Sequence, residues 1–219
     1  MRRRLLLALL IGSALLLTWS VWIVTTSFAR APKLVAELDA GGALAFSPLE
    51  LPRQRLCALL AVQDPTFFRH HGIGLADGPL GHTTLTQAVV KRLFFNDFDP
   101  GRLRHRKIRL MLTAWVFDGR ITKETQLRLF LNLAHFGNAG GTEVLGFPAA
   151  ASAFLDKSLD QLSDSEYFGL LAMLDAPNRY DILRQPRLNA ERVARIQRLV
   201  ERVCVESCFQ DRAPIPCDG

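Results

Sequence analysis

One long apolar segment near the N-terminus dominates the hydrophobic pattern. Residues Leu5–Phe28 form an uncharged run of about 24 residues, whereas a helix needs roughly 20 to cross a bilayer. Arginines occupy positions 2–4 and few basic residues follow the run directly, so the positive-inside rule predicts a cytoplasmic N-terminus. The alternative is a signal peptide cleaved near Ala29–Ala31, but such peptides have apolar regions of only about 7–15 residues. We therefore predict a cytoplasmic stub and membrane anchor over residues 1–28.

Helical periodicity characterises the remaining chain, and no convincing strand pair with an Asn-Gly or Asp-Gly turn is found. The pattern predicts one mainly α-helical domain over residues 48–205. A connector at 29–47 precedes it, and a tail containing cysteine and proline follows at 206–219. The predicted helices begin at Leu51-Pro52, cover Thr84–Phe95 and Ile108–Phe117, and start again after N-caps at Thr122, Ser163 and Asn189.

The charge distribution argues against a nucleic-acid partner. The formal net charge is +6, but the basic residues are scattered through helical patterns and do not form an arm with interleaved aromatic residues. A basic domain that is exported and held at a membrane surface suits anionic lipid headgroups or a diphosphate. A solvated basic face without a partner is the alternative.

The cysteines predict disulfides and no zinc site. Four cysteines in an oxidising compartment allow three pairings, and no Cys-x-x-Cys spacing is present. The pair Cys204 and Cys208 lies on one helical face, where a regular helix does not give disulfide geometry. A bond from either one to Cys217 would fasten the tail to the last helix. The four positions are Cys57, Cys204, Cys208 and Cys217.

Five short motifs carry a family resemblance that covers about residues 48–205. They are Gln63–Gly72 (Gln-Asp-Pro-Thr-Phe-Phe-Arg-His-His-Gly), Thr83–Lys91, Arg106-Lys107, Lys123–Asn132 and Phe136–Phe154. In order and spacing they resemble the motifs of family 51 glycosyltransferases. These are the peptidoglycan transglycosylases found alone or as one half of class A penicillin-binding proteins.

The resemblance implies a lysozyme-like helical lobe, a smaller jaw against the membrane, and a cleft between them. It also implies a single-pass protein of the bacterial inner membrane with its domain on the periplasmic side, laid out like a monofunctional transglycosylase. The implied partners are lipid II or a lipid diphosphate, inner-membrane lipids and other proteins of peptidoglycan synthesis.

The same resemblance assigns site residues, and two of them have the wrong chemistry. Gln63 stands where the family has its general base Glu, and Leu110 stands where it has a second Glu. An amide has no proton-accepting pKa near neutrality, and an alkyl group binds no cation. Asp64 remains, at a position that the family uses structurally. The residues that match substrate-binding positions are Thr84, Gln87, Lys91, Arg106 and Lys107.

Three hypotheses follow for the function. The first is a degenerate transglycosylase that binds lipid II or its synthesis partners, a reading that the shortened Ile73–His82 segment also favours. The second is an active, divergent glycosyltransferase whose base is Asp64 or another carboxylate such as Asp77. A lytic hydrolase ranks last because it needs a Glu acid that the opening motif lacks. His70 and His71 have no third ligand spaced to join them, so we predict no metal site in the protein and leave a divalent cation open.

Overall fold

The computed structural model describes residues 2–74, 83–95 and 103–206. This part of the chain is mostly helical, which confirms the predicted fold class. Its elements are α1 (Arg2–Ala40), α2 (Arg53–Gln63), α3 (Leu85–Phe94), α4 (Leu103–Asp118), α5 (Lys123–Leu133), β1 (His135–Ala139), β2 (Thr142–Leu145), α6 (Phe147–Leu155), α7 (Asp164–Asp175) and α8 (Pro186–Glu206).

The N-terminal helix α1 is one continuous element that extends from the predicted anchor into the predicted connector. Its length and hydropathy suit a membrane span, and it runs on through Pro32 to Ala40. Proline removes one backbone donor, but the helix beyond residue 22 is held by packing, because Ile23, Ser27 and Ala31 are all buried. Residues 29–40 of the predicted connector are therefore helical.

Helix α4 is the neighbour that supports α1. The hydroxyl of Ser27 donates to the hydroxyl of Thr113 at 3.4 Å, and the guanidinium of Arg120 lies 4.1 Å from the ring centroid of Phe28. The end of α1 also reaches α5, where Arg128 pairs with Asp39 at 2.9 Å. The apolar helix is thus joined to the domain along its last four turns.

Helix α2 lies at the centre of the core, with every residue from Arg55 to Ala61 buried. The buried guanidinium of Arg55 binds the Asp164 carboxylate at 3.1 Å and donates to the carbonyls of Leu159 and Leu162. The hydroxyl of the fully buried Tyr167 donates to the Arg55 carbonyl at 3.1 Å. These bonds satisfy the polar atoms that α2 carries into the core.

A hairpin of two short strands is present in the mainly helical domain, although no strand pair was predicted. Strands β1 and β2 are antiparallel, and Ala139 pairs with Thr142. The two residues between them, Gly140 and Gly141, have φ values of 58° and 85°. Consecutive left-handed residues form the type I′ turn that matches strand twist, and glycine adopts them without strain. The Gly-Gly pair was thus the turn signal that a search for Asn-Gly and Asp-Gly overlooks.

Two of the three predicted N-caps are correct. Thr122 and Ser163 cap α5 and α7, but Asn189 is not a cap, because α8 begins at Pro186. The Asn189 amide is instead buried and donates to the carbonyls of Gly169 and Tyr180. Among the phenylalanines of the motifs, Phe67, Phe136 and Phe154 are buried, whereas Phe68 is only half-buried.

Replacement of Gly72 by alanine tests how tightly the opening motif packs on α4. Gly72 has a φ of 76°, and a Cβ there would lie 2.4 Å from the Ala114 carbonyl oxygen. We expect Gly72→Ala to destabilise the protein by about 2–5 kcal/mol, from left-handed strain and steric overlap together. The midpoint of thermal unfolding of the detergent-solubilised chain measures this.

The matched control is Gly42→Ala. Gly42 has a similar φ of 73° but open space around the added Cβ, so only the strain of about 1–2 kcal/mol should remain. Equal losses for the two variants would contradict the close packing of Gly72 on α4.

Candidate functional site

The carboxylate of Asp64 joins three segments at the start of the opening motif. Asp64 is buried and directly follows the last residue of α2. Its Oδ2 accepts from the backbone N–H of Leu85 at 2.9 Å and lies 2.8 Å from Nε2 of His70. The side chain therefore connects the end of α2, the turn after it and the first residue of α3.

Thr84 and Gln87 complete this junction as a capping box on α3. The Thr84 hydroxyl accepts from the Gln87 N–H at 3.1 Å and donates to the Gly72 carbonyl at 2.8 Å. The Gln87 side-chain oxygen accepts from the Thr84 N–H at 3.1 Å. Reciprocal bonds of this kind satisfy two unpaired N–H groups of a helix start. Both residues are buried, so their main bonds hold the backbone, and a role in substrate binding stays a prediction.

Gln63 is placed differently from its neighbour Asp64. It is the last residue of α2 and is half-buried. Within the described part of the chain its amide forms no hydrogen bond. The position at which the resemblance places a base thus carries a polar side chain that the fold does not use.

The cationic residues lie on α3 and α4, which pack against each other. Lys91 follows Gln87 by four residues on α3, so the two share a helix face. It is half-buried, and burial lowers the pKa of its ammonium group below the ordinary 10.5. Lys107 is also half-buried on α4. Arg106 lies in α4 too, but its side chain is outside the described residues.

Leu110 follows Lys107 by three residues and therefore lies on the same side of α4. Its side chain is partly buried and packs against the hydrophobic core. The position at which the resemblance places a second Glu is thus used for apolar packing.

A second buried polar network was missed by the sequence reasoning. The Thr86 hydroxyl donates to the Gln126 side-chain oxygen at 2.7 Å, and the Gln126 amide donates to Asp118 at 3.0 Å. Asp118 also pairs with Lys123 at 2.6 Å, whose ammonium lies 4.5 Å from the centroid of Phe67. Polar residues of three helices meet here: Thr86 belongs to the second motif, Lys123 and Gln126 to the fourth, and Asp118 to none of the motifs.

The carboxylates near this junction are all committed to other groups. From residue 63 to residue 118 the described residues contain two carboxylates, Asp64 and Asp118, and both are paired as above. Glu143 of β2 reaches α3 through a bidentate bond to Arg92, with N–O distances of 3.0 and 2.9 Å. The hydrogen bond from Arg92 lowers the pKa of Glu143 below its usual range. Asp77 lies outside the described residues.

Each of the two histidines of the opening motif lies near one carboxylate. Nε2 of His70 contacts Asp64, and the exposed His71 ring lies 3.7 Å from Asp118. Residues 2–74, 83–95 and 103–206 contain no group of three or more His, Cys, Asp or Glu side chains that could hold a metal ion. The described side chains of this region therefore offer cationic and hydrogen-bonding groups, and the carboxylates of Asp64, Asp118 and Glu143 are each paired.

Comparison with known proteins identifies the family. The sequence profile of the transglycosylase family matches residues 35–201. Penicillin-binding protein 1B of Escherichia coli (strain K12) is 31% identical over 157 residues, which are 66% of this chain and 18% of the relative. Penicillin-binding protein 1B of Haemophilus influenzae is 31% identical over 188 residues, which are 79% of this chain and 24% of the relative. Penicillin-binding protein 1A of Pseudomonas aeruginosa is 28% identical over 176 residues, which are 73% of this chain and 20% of the relative.

The chain therefore belongs to the transglycosylase family, that of the family 51 glycosyltransferases. It spans about a quarter or less of the length of these penicillin-binding proteins. The matched region begins at residue 35, inside α1, so the end of the apolar helix is part of the family domain.

Replacement of Asp64 by alanine tests whether this residue is structural. The change leaves the buried Leu85 N–H and the His70 ring without their acceptor, which should cost about 3–5 kcal/mol. Thermal unfolding of the full chain in detergent measures the loss.

Asp39→Ala serves as the control, because it removes an exposed ion pair to Arg128 and should cost less than about 1 kcal/mol. If Asp64→Ala is no more harmful than Asp39→Ala, Asp64 does not hold the junction and is available for chemistry.

Proposed function

We propose that this chain is a membrane-anchored, transglycosylase-like protein of cell-wall synthesis that binds lipid II or a lipid diphosphate and turns over little of it. The transglycosylase domain and its homology to penicillin-binding proteins 1A and 1B support the cell-wall assignment. The observation that carries the low turnover is the amide of Gln63 at the base position, with no unpaired carboxylate among the described residues beside it.

The chemistry of the family explains why this substitution matters. Glycosyl transfer from lipid II joins a sugar hydroxyl to an anomeric carbon and expels a lipid diphosphate. A base must take the hydroxyl proton, and positive charge must stabilise the departing diphosphate. General-base catalysis typically contributes about 10²–10⁴-fold. The loss of this single role is therefore enough to leave a very slow enzyme.

Substitute bases near the site are poor ones. Oδ2 of Asp64 bonds to the Leu85 N–H and the His70 ring, Oδ1 accepts from the Thr66 hydroxyl at 3.4 Å, and the side chain is buried, so a substrate hydroxyl would have to enter the junction to reach it. Oδ1 of Asp118 is bonded to Lys123 and Gln126, and its side chain is only 6% exposed. Glu143 is held by both nitrogens of Arg92, and a carboxylate with a lowered pKa is a weaker proton acceptor.

Binding makes smaller demands than catalysis. Lys91 and Lys107 can attract a diphosphate by charge without any proton transfer. Burial of Lys91 favours its neutral form, and an anion beside it would favour the charged form again. We infer that Lys91 and Lys107 still bind the diphosphate, although the general base for the reaction is lost.

We also infer that the domain lies on the periplasmic side of the inner membrane. Arginines at positions 2–4 precede the apolar part of α1, which favours a cytoplasmic N-terminus. Cys57 in α2 is disulfide-bonded, and disulfides form and persist in oxidising compartments such as the periplasm. Both features support the same orientation.

Polymerisation of labelled lipid II tests the proposed lack of turnover. The purified full chain, with and without divalent cation, should be at least about 100-fold slower than penicillin-binding protein 1B of Escherichia coli in the same assay.

Gln63→Glu together with Leu110→Glu should raise the residual rate, because the double variant supplies a base and a second charge. Gln54→Glu places the same new carboxylate on an exposed part of α2 and should change nothing. A wild-type rate close to that of the relative would show an active, divergent glycosyltransferase with another base.

Binding of lipid II in detergent should depend on Lys91 and on pH. Loss of a charged hydrogen-bonding group in Lys91→Gln should weaken binding by about 10-fold or more. The protonated ammonium binds the anion, and burial lowers its pKa, so wild-type binding should begin to weaken at a lower pH than an exposed lysine would give.

Lys157→Gln is the matched control, because Lys157 pairs with Glu166 at the start of α7 and is distant in sequence from the site. Fluorescence anisotropy of labelled lipid II measures both variants. Equal affinity of Lys91→Gln and wild type would remove Lys91 from the proposed site.

A further inference from the structure

The packing of α8 against α2 indicates which cysteine is bonded to Cys57. Cys57 lies in the middle of α2, is 6% exposed and is disulfide-bonded. Helix α8 packs along α2 and also covers α7. The other three cysteines are Cys204, Cys208 and Cys217, and all of them follow residue 200. The bond therefore joins α2 to the C-terminal part of the chain.

The register of α8 distinguishes among these three. Its buried stripe contains Val193, Ile196 and Val200. At about 100° per residue, position 204 lies about 40° from Val200 and about 20° from Val193 around the helix. Position 204 is therefore on the side of α8 that carries this stripe, within the helix, which is described as far as Glu206. Cys208 and Cys217 lie outside the described residues.

We propose that Cys57 and Cys204 form a disulfide that fastens the C-terminal end of α8 to α2. This leaves Cys208 and Cys217 as the remaining pair. The bond forms by thiol–disulfide exchange with a disulfide-bearing thiol oxidant. One cysteine thiolate attacks the donor disulfide and expels one donor thiolate. The second cysteine thiolate then attacks the mixed disulfide and expels the other, so the donor takes up two electrons and two protons.

The position of the bond gives it a role in the site. Cys57 precedes Gln63 on the same helix by six residues, or about 9 Å along the axis. Asp64, which follows α2, fixes the start of α3. The disulfide thus restrains the helix from which the opening motif starts, and it closes a loop that contains all of the motifs. A cross-link over so long a loop restricts the unfolded chain strongly.

Peptide mapping without reduction tests the connectivity. Protein isolated from cells with its thiols alkylated is digested with trypsin and with a protease that cuts after glutamate. Cleavage after Glu206 is decisive, because it separates Cys204 from Cys208. The expected product joins the Cys57 peptide to the Cys204 peptide. The four peptides are Leu56–Arg69, Val203–Glu206, Ser207–Arg212 and Ala213–Gly219.

Any other partner in that map overturns the proposal. A Cys57 peptide joined to Ser207–Arg212 or to Ala213–Gly219 shows a different connectivity, and an alkylated Cys57 shows no bond. None of these outcomes depends on lipid II turnover, so failure here is distinct from failure of the proposed function.

Thermal unfolding of the full chain in detergent provides a second measurement. Cys57→Ala should lower the midpoint by roughly 5–15 °C under non-reducing conditions. Reductant should bring the wild-type midpoint close to that of the variant. Cys208→Ala is the matched control and should retain both the Cys57–Cys204 peptide and most of the wild-type midpoint. A midpoint for Cys208→Ala as low as that for Cys57→Ala, with the joined peptide missing, would contradict the assignment.

Discussion

The arrangement of the site depends on the hydrogen bonds of the buried Asp64 carboxylate. It accepts from the first N–H of α3 and contacts His70, so the end of α2, the turn and the start of α3 cannot shift independently. The Thr84–Gln87 capping box adds a bond to Gly72, and the close approach of Gly72 to Ala114 extends the connection to α4. Four segments therefore derive their relative positions from a few polar contacts.

This arrangement separates the residues that build the fold from those that would perform chemistry. Asp64, Thr84 and Gln87 match motif positions and are committed to backbone hydrogen bonds. Gln63 and Leu110 depart from the motifs, and neither forms a polar contact within the described residues. The bonds that specify the domain therefore do not involve the side chains at positions 63 and 110. Similarity to a family of enzymes establishes the fold here, and the reacting atoms have to be judged separately.

Local signals in the sequence predicted those elements whose causes are local. Thr122 and Ser163 cap helices by accepting from N–H groups a few residues further along the chain. Their residue types were therefore sufficient to predict these two helix starts. The path of α1 beyond Pro32 depends on burial against α4, and the inward amide of Asn189 depends on α7. Neither partner is near in sequence. The motifs located the candidate site, but they did not show that its carboxylates are already paired, because those pairs join residues of different elements.

Because α1 is continuous, its apolar part would transmit a change of tilt to the domain if that part spans a membrane. At 1.5 Å per residue its 39 residues span about 58 Å. A tilt of about 10° would therefore displace one end by about 10 Å relative to the other. Helices change tilt to match the thickness of the surrounding bilayer. Because α1 and α4 are packed together, a change of tilt in a thinner or thicker bilayer would turn the domain that carries Gln63 and Lys91.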